Sequence, residues 1–213
     1  GALLSCGSEI SGSSTLWSYV FKLTSENMGI DIRAKHTTDR VRAVLSMFQG
    51  KISDPKCKNC EGPIDTFLSE LEMLRQGYSD EDCLEILRFL VAKIPISAHS
   101  RCIHRLLHNC YRQQDHTLVE NVLQILLPAC PFPVVNSADW NHVADVDYPE
   151  YHSKVSPLHV AVDYEHSETI VNMLIDYGAD LQLQFEGQTA ADWDDQHMYP
   201  RLHAGSDVLQ ERT

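Results

Sequence analysis

A chain of 213 residues with 43% hydrophobic and 22% charged side chains has room for one sizeable domain or two small ones, and the composition of a protein with a real core. Its longest apolar stretches, such as LQILL at 123–127, fall well short of the roughly 18–20 residues of a membrane helix, so no membrane span is expected. The net charge of −13 is uneven: residues 1–62 hold 8 Lys/Arg against 6 Asp/Glu, residues 63–134 hold 6 against 9, and residues 135–213 hold 3 against 15. A balance of −12 in the last third repels phosphate backbones, which argues against direct nucleic-acid contact, and attracts basic groups.

The chain opens GALLSCGSEISGSS, without Met and without the basic start and apolar centre of a secretory signal. It reads as the start of a fragment of a larger protein, with residues 1–13 expected to be disordered. Residues 14–62 read as an N-terminal helical extension. Apolar residues at 16, 17, 20, 21 and 23 mark one helix over 14–27. Thr38, apolar positions 41, 44, 45 and 48, and Gly50 mark a second over 37–50. The loop DPKCKNCEGP (54–63) carries Cys57-x-x-Cys60. Zinc would need two further ligands, and a redox pair is expected at a helix start beside a strand, which this loop lacks. The default is two free thiols.

Four helices follow at 63–77, 79–94, 100–114 and 116–130, with Ser79 and Asp82 set for a capping box. Residues 131–155 form an acidic, aromatic insertion loop without helical period. Two more helices are expected at about 157–164 and 168–176. "PVV" and "LQLQF" are too short to build a sheet, so the class is all-α. The seven cysteines (6, 57, 60, 83, 102, 110 and 130) are odd in number and scattered through apolar helical patterns. That argues against a disulfide framework and for a reducing compartment, cytoplasmic or nuclear.

Residues 156–192 read SPLHVAVDYEHSETIVNMLIDYGADLQLQFEGQTAAD. Ser156-Pro157-Leu158-His159-Val160-Ala161 is similar to the T-P-L-H-x-A opening of an ankyrin repeat. A second helix with Val171, Leu174 and Ile175 follows, then Gly178-Ala179-Asp180, a loop, and Gly187-Gln188-Thr189-Ala190 entering a final capping helix. Ser156 suits an N-cap and Pro157 a first helical turn. Leu158, Ala161 and Val162 share a face that must be buried, and Ala161 is small enough for close helix approach. Gly178 sits just past a helix end, where a left-handed residue is favoured. The resemblance implies that His159 hydrogen-bonds backbone between adjacent repeats.

Sliding the pattern back places Ile103 on Leu158, His104 on His159, Leu106 on Ala161 and Leu107 on Val162. Residues 63–213 thus resemble a divergent ankyrin-like stack, a helical-hairpin solenoid of about three repeats. This bears on CIHRLLHNC (102–110), whose two cysteines and two histidines suggest a zinc site. At 100° per residue His104 and His108 share a face, but Cys102 and Cys110 each lie about 160° from one of them. Four ligands on one helix cannot converge from such directions. No metal and no cofactor are expected.

Asp139, Trp140, His142, Asp145, Asp147, Tyr148, Glu150, Tyr151 and His152 crowd the insertion loop. Asp145-x-Asp147 begins like a calcium loop, but Pro149 and Glu150 stand where a ligand and the turn Gly are needed. The better reading is a partner-binding loop of Trp140, His142, Asp145, Asp147, Tyr148, Glu150 and Tyr151, with aromatic anchors set in negative charge. No phosphate loop, nucleophile elbow or H-E-x-x-H is present, and no enzyme activity is expected. The resemblance implies a protein–protein interaction module, an adaptor or scaffold segment of a larger intracellular protein. It would bind another protein or peptide, of basic character, through its inter-repeat loops. The alternative is a non-catalytic domain that stabilises a larger enzyme or nucleic-acid-processing protein, or dimerises it as a homodimer. A third reading is an acidic reader of basic, histone-like peptides.

Overall fold

A computed structural model describes residues 63–75, 78–96, 100–110, 116–137 and 155–204. The expected helices over 14–27 and 37–50 and the Cys57/Cys60 loop lie outside these residues. The chain divides into two compact units, Gly1–Ser100 and Arg101–Thr213. The described residues form an all-α, ankyrin-like fold, with no β-strand among them.

In the first unit the helix expected over 63–77 is broken. Helix α1 spans Pro63–Ser69 and α2 spans Leu71–Leu74, with Glu70 between them at φ −97°, ψ 1°. Ser69 explains the break: its Oγ donates to the carbonyl of Asp65, a back-bond that loosens and bends a helix. Helix α3, Asp80–Lys93, starts at the capping box foreseen in Ser79 and Asp82. The Ser79 side chain accepts from the Asp82 N–H, and the Asp82 carboxylate accepts from the Ser79 N–H. Phe67, Leu68, Leu71, Leu74, Ile86, Leu87 and Leu90 form the core of this unit. Ser100 Oγ donates to the buried Asp65 carboxylate at 3.2 Å. Cys83 sits in this core, and burial together with Asp80 and Asp82 pushes its thiol pKa up to about 12.

The second unit is built from helix pairs. Helix α4, Cys102–Cys110, runs against α5, His116–Leu126, which tightens into a 3₁₀ turn at Leu127–Ala129 where Pro128 cannot continue the ladder. A short helix α6, Phe132–Val135, then appears in the segment read as loop. Pro131 precedes it and Pro133 lies in its first turn, where a missing N–H costs nothing, so a proline-rich sequence hides one helical turn. Helices α7, Pro157–Asp163, and α8, Glu168–Asp176, form the second pair, and α9, Ala190–Trp193, follows a turn at 185–188. Residues 200–204 are also helical, which the hydrophobic pattern did not suggest.

α4 is two-faced. Cys102, Ile103, His104, Leu106, Leu107 and Cys110 are buried, whereas Arg105, His108 and Asn109 are half-exposed. Each fully buried Leu or Ile contributes about 1.5–3 kcal/mol relative to exposure. On α7, Leu158 and Ala161 are sealed from solvent, as are Ile170, Val171 and Leu174 of α8, the helix packed against it. The hairpin geometry sets the start of α4 beside the end of the α5 segment, and Cys102 Sγ lies 3.6 Å from Cys130 Sγ.

Both helices of the second pair end in Schellman motifs. At α7 the Glu165 N–H donates to the carbonyl of Val162 and the His166 N–H to that of Ala161. At α8 the Gly178 N–H donates to Ile175 and the Ala179 N–H to Leu174. The left-handed residue is Gly178 (φ 90°) at α8 and Glu165 (φ 50°) at α7.

Candidate interaction surface

Three buried histidines tie the second unit together, each through a backbone carbonyl distant in sequence. His104 Nε2–H donates to Val155 O at 2.8 Å, and His159 Nε2–H to Gln188 O at 3.3 Å. Val155 and Gln188 each immediately precede an N-cap, Ser156 of α7 and Thr189 of α9. The two acceptors are 33 residues apart, one ankyrin period, and the two donors 55, so His104 and His159 do the same job in successive helix pairs across a lengthened step.

Ser156 fixes the working tautomer of His159. Its Oγ accepts the His159 backbone N–H at 3.4 Å and donates to His159 Nδ1 at 2.8 Å, which leaves the proton on Nε2 for Gln188. The third histidine, His166, donates from Nε2 to Leu107 O at 3.0 Å, one of the last four carbonyls of α4, which have no partner within the helix. Its own carbonyl accepts from Tyr199 Oη at 2.6 Å. Burial holds the pKa of His104 and of His166 down to about 4 and lowers that of His159, so all three are neutral donors at neutral pH.

The loops between helices are fixed as firmly. Asn136 clamps the turn after α8, donating to Gly178 O at 2.9 Å and accepting the Asp180 N–H at 2.7 Å. Phe185 and Gln188 exchange both backbone hydrogen bonds around Glu186 (φ 51°) and Gly187 (φ 84°), a type I′ turn. Beyond its own chain neighbours, a β-carbon at Gly187 would meet nothing within 4 Å, so glycine serves the backbone angle there and not space. The ring of Trp193 packs edge-on against His159 and Phe185, with centroids 5.1 and 5.6 Å away. Thr189 and Asp192 form a capping box on α9.

At the C-terminal end, the buried Asp194 carboxylate accepts the N–H groups of Met198 and Tyr199 and Nε2 of His203, at 2.8, 2.9 and 3.0 Å. Although burial works against it, this hydrogen bonding holds the Asp194 pKa below the ordinary carboxylate value. An open cleft of about 510 Å³ lies beside it, lined in part by Gln182, Asp192, Asp195, His197 and His203.

The surface around these loops is acidic. Asp163, Glu165, Glu168, Asp176, Asp180, Glu186, Asp192 and Asp195 are exposed between residues 155 and 204, and Arg201 is the only Lys or Arg of that span. Arg201 is itself paired with Asp176 at 2.7 Å.

The residues of CIHRLLHNC point to separate partners: Cys102 to Cys130, His104 to Val155, and His108 to Asn109 and the ring of Tyr164. Trp140, His142, Asp145, Asp147, Tyr148, Glu150 and Tyr151, expected to bind a partner, lie outside the described residues. The buried carboxylate at Asp194 and the His166–Leu107 bond gave no signal in the sequence pattern, because each depends on contacts that only the folded unit creates.

Residues 154–183 match the family model of the ankyrin repeat. No curated protein and no solved structure matches the chain. The chain therefore carries an ankyrin repeat at residues 154–183, within an all-α ankyrin-like fold, and repeats of this family are in general non-catalytic modules of protein–protein interaction.

Proposed function

We propose that this protein is an adaptor or scaffold segment that binds a basic protein or peptide through the loops of its second unit. The observation that carries the reading is the exposed carboxylate field on fixed loops. Asp180 and Glu186 stand on turns held by Asn136 and by the Phe185–Gln188 pair, so their charges are held ready without an ordering cost on binding. The cleft beside Asp192 and Asp195 supports the reading, because carboxylates at its wall attract a lysine or arginine side chain of such a partner. Trp140 and Tyr148 of the acidic segment, with Asp145 and Asp147 beside them, supply the aromatic anchors and further charge in this reading.

The test is capture of partners by the full chain in parallel with Asp180→Lys/Glu186→Lys and Trp140→Ala variants, with association rates measured at two salt concentrations. Charge reversal is expected to slow association and flatten its salt dependence, and Trp140→Ala to weaken binding by about 2 kcal/mol. Partners that associate with both folded variants at the wild-type rate, and with the wild-type salt response, would sink the reading.

A further inference from the structure

We propose that Cys102 and Cys130 are a reversible oxidation site, a dithiol that closes to a disulfide across the ends of the first helix pair of the second unit. Their sulfurs lie 3.6 Å apart, although the residues are separated by 28 positions. Cys102 opens α4, and Cys130 ends the α5 segment, where its N–H closes the 3₁₀ turn by donating to the carbonyls of Leu126 and Leu127. The two are opposed because antiparallel helices bring the start of one beside the end of the next. A disulfide needs a sulfur separation of about 2.05 Å, so the two sulfurs must close by roughly 1.5 Å from their 3.6 Å separation.

The two thiols differ in access, and this sets the order of events. Cys102 is sealed from solvent, whereas Cys130 is half-exposed. A peroxide therefore meets Cys130 first. The Cys130 thiol displaces water from hydrogen peroxide and becomes a sulfenic acid. Cys102 then attacks that sulfur, a sulfur–sulfur bond forms, and the sulfenic oxygen leaves as a second water with the Cys102 proton. Overall two thiols and one peroxide give one disulfide and two waters. A small dithiol such as dithiothreitol reverses the link by exchange. Cys83 makes the contrast: it is buried in the core of the first unit, and burial with its acidic neighbours Asp80 and Asp82 keeps its thiol protonated.

The site is independent of any partner, and the full chain tests it. The folded protein is treated with about one equivalent of hydrogen peroxide, alkylated, and digested with trypsin without reductant. Cleavage at Arg101 and Arg105 releases Cys102 in a four-residue peptide, and cleavage at Arg112 and Lys154 isolates Cys130 from Cys110. The expected product is these two peptides joined and two hydrogens lighter than their sum, and separated by dithiothreitol. In Cys102→Ser the link is lost and Cys130 is trapped as a sulfenic acid by dimedone. Oxidised wild type is expected to melt about 5 °C above the reduced protein, a difference absent in Cys130→Ser. Recovery of Cys102 and Cys130 as separate alkylated peptides after the peroxide is consumed, for instance with Cys57 and Cys60 joined instead, would overturn the proposal. So would a link that forms only in denaturant, or an unchanged melting temperature once the link has formed.

Discussion

His104 and Val155 lie 51 residues apart in the chain and are joined by a 2.8 Å hydrogen bond between an imidazole N–H and a backbone carbonyl, both inside the second unit. The bond does for α4 what the His159–Gln188 bond does for α7. Replacing His104 with Leu keeps an apolar side chain in place but leaves the Val155 carbonyl without that donor. The expected loss is about 1–3 kcal/mol of unfolding free energy, read from urea denaturation. A variant within a few tenths of a kcal/mol of wild type would show that the carbonyl finds water or another donor.

Acid should weaken the second unit before most of its carboxylates titrate. His104 and His166 have a pKa of about 4 when folded, against the ordinary 6.5. Between those values the unfolded chain binds protons that the folded chain refuses. Stability is therefore complete above about pH 6.5 and falls as pH drops towards 4, by up to roughly 3 kcal/mol per histidine. The carboxylate of Asp194, with its lowered pKa, adds a loss only below its ordinary value of 3.8. Urea midpoints at pH 7.5, 6 and 5 test this, and a His104→Leu/His166→Leu variant should show a shallower slope. A flat wild-type profile over that range would mean the rings are not buried as neutral groups.

Ala161 has no exposed surface, and its helix packs against both α4 and α8. Tryptophan there should overpack the pair and lower stability by about 1–3 kcal/mol or more. An unchanged melting temperature would place Ala161 on the wrong side of its helix.

Glu165 sits at a left-handed angle that a β-carbon resists, in the position that α8 gives to Gly178. Glu165→Gly should stabilise the protein by up to about 1 kcal/mol, since the strain relieved exceeds the added freedom of the unfolded chain. Calorimetry that shows a lower melting temperature would indicate that the Glu165 side chain contributes more than its backbone costs.

These effects divide between what local sequence displays and what it conceals. The capping boxes at Ser79–Asp82 and Thr189–Asp192 need only residues three apart, and their pattern is visible in the letters. Placing His104 on His159 pairs two side chains that turn out to make the same bond, because repeat proteins reuse one solution in successive repeats even where the spacing between them is stretched. The break at Glu70 was hidden, since a back-bonding Ser69 looks like any helix-surface serine. The α6 turn was hidden by its prolines. Asp194 reads as one of several acidic residues until Met198, Tyr199 and His203 fold back onto it. For the binding segment around Trp140, charge and aromatic content were legible, but no local period sets its path.

The His159–Gln188 bond also decides where the molecule can be cut. The family match ends at residue 183, yet the carbonyl that receives the His159 proton belongs to Gln188, and the ring edge beside it to Trp193. A fragment trimmed to the matched boundaries would expose an imidazole shaped for burial and strip the α7–α8 pair of its lid. The smallest excisable piece at this end must run past Tyr199, whose hydroxyl closes on His166. Anyone grafting the repeat into another scaffold would have to carry those later residues along, or supply a substitute carbonyl at the same place.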